Sequence, residues 1–308
     1  MDKRPSRTAL MASLMRALHS RSDPSPILDD PWGDRLVAQS ERETMNQRHL
    51  ARLDPDERAR ASAAPTALLD EVLRTSAGYP GVIIRSRYAE DRLREATIAG
   101  VRQYVLIGAG FDSFALRRPD FAAGLDIFEI DHPATQSFKL ERIRECGISL
   151  PPSVHFIAAD LANEGLEAAL ARSAFRKDEA AFFSWLGVTS YLTREANLQT
   201  LRAVAKCGYL GSELVFTYVD QIEFAPGGLR SPDHPYAQAV AKVGEPYVSG
   251  FDPKEIAHDL KRVGLELVED LDGTAMAERY ARSGGNILRP SAGQHIVCAR
   301  VATGHDFE

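Results

Sequence analysis

The spacing of apolar residues changes near residue 103 and divides the chain into two parts. In the first part, apolar positions recur every three or four residues, as Leu10, Leu14 and Leu18 do, which indicates helices. The proline-containing stretch 23–32 interrupts this pattern. Further helices are predicted over 62–77 and 88–100. We therefore predict a helical N-terminal region, residues 1–100, that lies outside the sheet described next.

From residue 103 onward, seven short β-type runs alternate with helical segments. This alternation predicts a Rossmann-like α/β fold with a mostly parallel sheet. No good crossover helix separates the last two runs, so we expect the sheet to end in a hairpin-like pair. The predicted strands are 103–107, 126–130, 154–158, 181–185, 214–219, 265–269 and 295–301.

Two helices in the second part have recognisable starts. Thr193 is predicted to cap a helix over 194–206, which Gly208 ends. Asp252 is predicted to be the N-cap of another helix, with Pro253 as its first residue. Both helices fit the crossover connections of a parallel sheet.

A long insertion, residues 220–251, follows the fifth predicted strand and is rich in glycine and proline. In open α/β sheets, ligands bind beyond the carboxyl ends of the strands, where such insertions lie. We predict that the insertion and residues 1–100 close over a core formed by 101–302, as a lid. The tail, 303–308, is predicted to be disordered.

Composition and charge narrow the possible partners. The 308 residues include 44% hydrophobic and 26% charged residues, and the net charge is -6, which argues against a nucleic-acid partner. No apolar run reaches the roughly 18 residues needed to span a bilayer, and the N-terminus lacks a signal-peptide core. We expect a cytoplasmic protein without a membrane partner. Three widely spaced cysteines, Cys146, Cys207 and Cys298, indicate neither a disulfide framework nor a metal site.

The first candidate for ligand binding is the glycine turn in VLIGAGFDS, residues 105–113. Gly108 and Gly110 follow a predicted strand and let the backbone turn tightly and approach a ligand. Ser113 stands where the dinucleotide motif GxGxxG requires its third glycine. The turn therefore suits S-adenosylmethionine (SAM), which carries no phosphate, better than a dinucleotide.

Acidic residues follow the glycine turn at the ends of the next two strands. Glu129 and Asp131 stand where a carboxylate accepts hydrogen bonds from ribose hydroxyls. We expect only one of them to face a nucleoside, and Asp131, at the very end, is the better choice. Asp160 and the backbone of Leu161 are placed to bind an adenine ring. The alternative for Asp131 and Asp160 is a structural role as a helix cap or turn residue.

Four motifs occur in the order GAGFDSFALR, IFEIDHPATQSFK, AADL and SWLGVTSYLT. Together they resemble the leucine carboxyl methyltransferase-like family, and most closely its bacterial branch of SAM-dependent methyltransferases. The similarity extends over nearly the whole chain. It implies a class I SAM methyltransferase fold, SAM as methyl donor, and a small-molecule acceptor of the kind found in polyketide pathways.

The resemblance also implies contacts of individual residues with the cofactor. By position it gives such contacts to Gly108, Asp131 and the Asp160–Leu161 pair. It further implies an arginine before the first strand that pairs with the methionine carboxylate, for which Arg85 and Arg87 are the candidates. Eukaryotic members place a cofactor-contacting Glu after the fourth strand, where this chain has Leu186.

We expect methyl transfer to an oxygen, of either a carboxyl or a hydroxyl group. A carboxylate acceptor needs no base, whereas a hydroxyl needs one. The candidate bases are His132, His155, His234 and Tyr191, and the sequence does not decide among them. The aromatic residues Tyr218, Phe224, Tyr236 and Tyr247 suggest an apolar acceptor pocket. An NAD-dependent oxidoreductase and a non-catalytic SAM-binding protein are the alternatives.

Overall fold

The computed structural model describes residues 5–62, 64–161, 163–225, 247–281, 285 and 287–302. Seven strands form one sheet in the order β3-β2-β1-β4-β5-β7-β6. All neighbouring pairs are parallel except β5–β7 and β6–β7. The mostly parallel seven-stranded sheet and its hairpin-like end are confirmed. The strands are β1 Gln103–Ile107, β2 Asp126–Asp131, β3 Val154–Ala158, β4 Ala181–Trp185, β5 Glu213–Val219, β6 Leu265–Asp272 and β7 Gln294–Val301.

Helices cover both faces of the sheet. Six of them precede β1: α1 Arg7–Ser22, α2 Trp32–Leu36, α3 Gln39–Leu50, α4 Pro55–Ser62, α5 Pro65–Thr75 and α6 Tyr79–Ile98. The others are α7 Phe114–Arg117, α8 Pro133–Glu145, α9 Leu166–Ala171, α10 Arg194–Cys207, α11 Ile256–Arg262 and α12 Gly273–Arg279. One apolar core joins α1, α6 and α8 to the sheet, and a second core on the opposite face joins α9, α10 and α11.

The predicted helix over 88–100 begins earlier, at Tyr79. Pro80 lies in the first turn, where its missing N–H costs nothing. The apolar residues Val82, Ile83 and Ile84 are then buried against the sheet, which extends the helical pattern backward. Arg85 and Arg87 consequently lie on a long helix rather than in the connection before β1.

The predicted helix starts have different outcomes. Thr193 caps α10 as predicted, because its hydroxyl accepts a hydrogen bond from Ala196 N at 3.2 Å. The predicted start of α11 at Pro253 is wrong: the helix begins at Ile256. Asp252 instead closes a turn in front of the helix, accepting from Lys254 N at 2.9 Å.

A buried ionic cluster attaches the N-terminal helices to the sheet. Arg16 on α1 donates to the Asp30 carboxylate at 2.8 Å and to the carbonyl of Phe111, beyond the glycine turn, at 2.7 Å. Arg117 lies 3.7 Å from Asp30 and pairs with Glu90 on α6. Burial alone would raise the pKa of Asp30, but Arg16 and Arg117 outweigh it and hold that pKa below its ordinary value. The N-terminal region is thus fixed to the loop that follows β1.

None of the described helices combines the length and apolarity needed to cross a bilayer. Most of the insertion, including His234 and Tyr236, and the tail 303–308 lie outside the described residues. The predictions for those segments stay predictions.

A second buried ion pair holds α8 on the sheet. Glu129 in β2 and Lys139 in α8 are each 1% exposed, and Lys139 Nζ donates to Glu129 Oε2. Burial raises the pKa of Glu129 to about 6, against the opposing effect of the lysine. Removing one member of such a pair leaves an uncompensated charge in the core, which is far more costly than removing both.

We therefore expect Lys139→Met to lower the free energy of unfolding by about 3 kcal/mol at pH 7, measured by urea denaturation. The double variant Glu129→Leu/Lys139→Met should recover most of that loss. Arg144→Met on the same helix is the control, because the Arg144–Glu141 pair is exposed and is worth at most about 1 kcal/mol. A Lys139→Met protein as stable as this control would contradict the interpretation.

Candidate functional site

A cavity of about 830 Å³ lies at the carboxyl ends of the parallel strands. Its wall combines the glycine turn, the ends of β2, β4 and β5, the start of β7, and residues of α1, α3 and α6. The sheet and the N-terminal helices therefore enclose one common space. Lining residues include Met11, Met15, Arg16, Met45, Gly81, Arg85, Gly108, Gly110, Asp131, Ser184, Leu186, Gly187, Tyr191, Thr217, Tyr218, Tyr247, Gln294 and His295.

The glycine turn has the backbone shape that the sequence predicts. Gly108 has a φ of 66° and Gly110 a φ of 53°, in the left-handed region that favours glycine. A Cβ at Gly108 would lie 2.7 Å from Val188 Cγ2, so the turn also needs the missing side chain. Hydrogen bonds from the N–H groups of Gly108 and Ala109 to the Ile130 carbonyl, at 2.9 and 3.1 Å, hold it against β2.

Asp131 lies beside this turn, at the end of β2. Its carboxylate accepts from Gly110 N–H and, at 2.6 Å, from His132 N–H. The side-chain cap of α8 is His132, whose Nδ1 accepts from Ala134 N at 3.3 Å, so Asp131 is not that cap. Burial raises the pKa of Asp131, which the two backbone donors oppose. A carboxylate has about four lone-pair sites, so Asp131 can still accept hydrogen bonds from a ligand.

Glu129 shares a sheet face with Asp131, because alternate residues of a strand point the same way. It lies deeper, pairs with Lys139 and is not among the residues that line the cavity. The structure therefore gives Glu129 a role in holding α8, and of these two acids only Asp131 lines the cavity.

The two arginines of α6 lie in different surroundings. Arg85 lines the cavity and packs on Gly187 after β4, where a Cβ would lie 2.5 Å from Arg85 Nη1. Arg87 donates to Asp91 at 3.0 Å and to the Ile27 carbonyl at 2.9 Å, and it does not line the cavity. Of the pair, Arg85 is the one placed to meet a bound carboxylate.

Asp160 and Leu161 follow β3 and are not among the lining residues. Asp160 Oδ2 accepts from Asn163 Nδ2 at 2.7 Å, and its carbonyl accepts from the N–H groups of Asn163 and Glu164. These hydrogen bonds are typical of a residue that forms a turn. The adenine contact of the Asp160–Leu161 pair stays a prediction.

The candidate bases also differ in whether they line the cavity. His132 and His155 do not line the cavity, whereas Tyr191 does, with its ring 5.2 Å from that of Tyr247. Leu186, which stands at the position of the family's Glu, is also on the cavity wall.

Sequence reasoning missed two features of this wall. Gly187 makes room for the Arg85 guanidinium, and its only signal was a glycine directly after the fourth strand. A cluster formed by Tyr218, Asp270 and His295 was also missed, because its members belong to three different strands.

The architecture is shared with two solved structures. A DUF574 family protein from Streptomyces avermitilis MA-4680 superposes with a TM-score of 0.55 at 16% identity, over 97% of this chain and 98% of that chain. A protein from Thermobifida fusca YX, described as a candidate methyltransferase, gives a TM-score of 0.51 at 17% identity over 77% and 88% of the two chains. Sheet order, glycine turn and terminal acid are those of the class I SAM-dependent methyltransferase fold.

The particular family follows from the sequence comparisons. The chain belongs to the leucine carboxyl methyltransferase family, whose sequence profile matches residues 9–205. YktD of Bacillus subtilis (strain 168), named as a candidate SAM-dependent methyltransferase, is 32% identical over 86% of this chain and 87% of its own. A similarly named protein of Mycolicibacterium gilvum (strain PYR-GCK) is 29% identical over 90% of this chain and 86% of its own. The cofactor is therefore SAM.

We expect Asp131→Ala to weaken binding of S-adenosylhomocysteine about tenfold or more, measured by titration calorimetry. The variant loses a carboxylate whose hydrogen bonds to ribose hydroxyls are each worth roughly 1.5–3 kcal/mol. Asp126→Ala, at the other end of the same strand, is the control and should bind normally, because Asp126 pairs with Arg176. Equal affinities of the two variants would show that Asp131 does not hold the ribose.

Proposed function

We propose that this methyltransferase transfers the methyl group of SAM to an oxygen, of a carboxyl or a hydroxyl group, in a small molecule. The observation that carries the proposal is the single cavity that joins the glycine turn and Asp131 to the apolar side chains of α1 and α3. One half of this space suits the cofactor, and the other half suits an apolar acceptor.

The residues on the cofactor side fit SAM. The glycine turn lets the nucleoside approach the backbone of β1, and Asp131 accepts from its ribose hydroxyls. Arg85 pairs with the methionine carboxylate, because its planar guanidinium matches a carboxylate bidentately. Leu186 offers no charge at the position of the family's Glu, so the arginine supplies the ionic contact at this end.

The acceptor side is formed by the N-terminal helices. Met11, Met15 and Met45 give a flexible apolar surface that adapts to the shape of a small molecule. When SAM is bound, its sulfonium supplies an already activated methyl group. The protein's part is then to hold the acceptor oxygen in line and to exclude water.

The domain assignment follows from the same division. We propose that residues 1–100 form the cap of the site and that 101–302 form the core that holds the cofactor. Tyr247, from the end of the insertion 220–251, lines the cavity, which supports a role of that segment in the cap.

Titration calorimetry tests the cofactor, and transfer of tritiated methyl groups tests catalysis. Purified protein should bind SAM and S-adenosylhomocysteine at micromolar concentrations and should show no binding of NAD. Incubation with tritiated SAM and a small-molecule extract should then yield labelled products that are extractable into organic solvent. Binding without any labelled product would favour a non-catalytic SAM-binding protein. Tight NAD binding without SAM binding would refute the proposal.

The role of Arg85 is tested with methylthioadenosine, which lacks the amino-acid end of SAM. Arg85→Ala should weaken SAM binding about tenfold or more and leave methylthioadenosine binding nearly unchanged, because only SAM loses a charge-assisted pair. Arg87→Ala, two residues along the same helix, is the matched control and should bind both ligands like the wild type. If Arg85→Ala weakens both ligands equally, the loss reflects a distorted fold and not a missing carboxylate contact.

A further inference from the structure

His295 lies on the cavity wall, pairs with Asp270 behind it, and has no part in the cofactor contacts proposed above. Nδ1 of His295 in β7 lies 2.9 Å from Asp270 Oδ1 in β6. Tyr218 in β5 donates its hydroxyl to the other carboxylate oxygen, Asp270 Oδ2, at 2.7 Å. The Tyr218 and His295 rings are stacked, with centroids 4.6 Å apart and planes 14° apart. Three strands thus hold one imidazole in a fixed orientation.

The hydrogen bonds to Asp270 define which nitrogen of the His295 imidazole carries the proton. An ionised Asp270 can only accept, so both Tyr218 and His295 must donate to it. Burial and the neighbouring Asp270 raise the pKa of Tyr218, which keeps its proton. The proton of a neutral His295 is therefore on Nδ1, and Nε2 carries a lone pair. No residue in the described part of the chain forms a hydrogen bond with Nε2.

His295 also lies at the edge of the sheet that faces the cavity, where the parallel strands end. It is 8% exposed and lines the cavity together with Tyr218 and the glycine turn. A lone pair on a buried, oriented imidazole in the wall of this cavity suits a general base.

We propose that His295 is the general base of the reaction and that the acceptor is a hydroxyl compound. This inference rests on the proposed function and makes it more specific. The acceptor O–H proton passes to Nε2 of His295 while the oxygen lone pair forms the O–CH₃ bond. The electron pair of the broken S–CH₃ bond stays on sulfur and leaves S-adenosylhomocysteine. Asp270 stabilises the imidazolium, which then releases its proton to water.

The chain contains a closely matched control. His155 is also stacked on an aromatic ring, that of Phe128, with centroids 4.7 Å apart and planes 13° apart, and its Nε2 lies 3.9 Å from Asp126. His155 does not line the cavity. His155→Gln therefore reports the loss of a stacked histidine beside a carboxylate, although the His155 side chain is more exposed (26% against 9%) and lacks the hydrogen bond of His295, whereas a catalytic loss should be confined to His295→Gln.

The kinetic test uses tritiated SAM with matched acceptors: 4-methylphenol, 2-naphthol and benzyl alcohol against 4-methylbenzoate, 2-naphthoate and phenylacetate. We expect methylation of hydroxyl compounds. His295→Gln should lower kcat by about 10²–10⁴-fold, with the KM for SAM and the affinity for S-adenosylhomocysteine changed less than twofold. Asp270→Asn should lower kcat as well, and His155→Gln should leave it unchanged. Turnover of carboxylates alone, or a hydroxyl kcat that survives His295→Gln within threefold, would overturn the proposal.

A second measurement needs no acceptor. In ¹⁵N-labelled protein with S-adenosylhomocysteine at pH 8, long-range ¹H–¹⁵N spectra report which imidazole nitrogen of His295 is protonated. His295→Gln identifies the signal, and the proposal requires the proton on Nδ1. A proton on Nε2 would overturn the base assignment even if no panel member is methylated. A wild-type protein that does not bind S-adenosylhomocysteine would instead refute the proposed function itself.

Discussion

The site depends on the buried contact of Arg16 with Asp30 and the Phe111 carbonyl. It is the charged attachment of α1 to the loop after β1, beside a weaker hydrogen bond from the Ser13 hydroxyl to the same Phe111 carbonyl at 3.4 Å. Asp30 also accepts from the N–H groups of Trp32 and Gly33, so the same carboxylate orders the start of α2. An isolated buried charge would be very costly, whereas here each charge has a partner and further hydrogen bonds. The glycine turn and helix α1 therefore form one structural unit.

Asp131 shows how the sheet edge combines folding and binding. Its carboxylate fixes Gly110 by a backbone hydrogen bond, and it keeps lone pairs for a ligand. Glu129, two residues earlier on the same face, is buried and pairs with Lys139 through Oε2. The depth of a carboxylate along the strand therefore separates a structural acid from one that can bind ribose.

The strands and the glycine turn could be predicted because their signals are local: short apolar runs, glycines in sequence, and Thr193 before its helix. The buried ionic cluster could not be predicted. In the sequence, Arg16 is one charge on a helix, and its partners become apparent only when α6 and the loop after β1 pack against that helix. The Asp270–His295 pair depends on strand register. The register of β6 against β7 shifts between Leu267 and Glu269, and such a shift decides which face a strand residue occupies.

The antiparallel end of the sheet explains how an imidazole reaches the acceptor cavity. In a fully parallel sheet, the first residues of every strand lie at the edge opposite the ligand. Because β7 runs against β5, its second residue, His295, pairs directly with Tyr218 near the carboxyl end of β5. β6 is also antiparallel to β7, so Asp270, near the end of β6, lies at the same edge of the sheet as His295. The reversal that distinguishes this sheet from an ordinary dinucleotide-binding fold thus places His295 on the cavity wall, where the proposed general base has to lie.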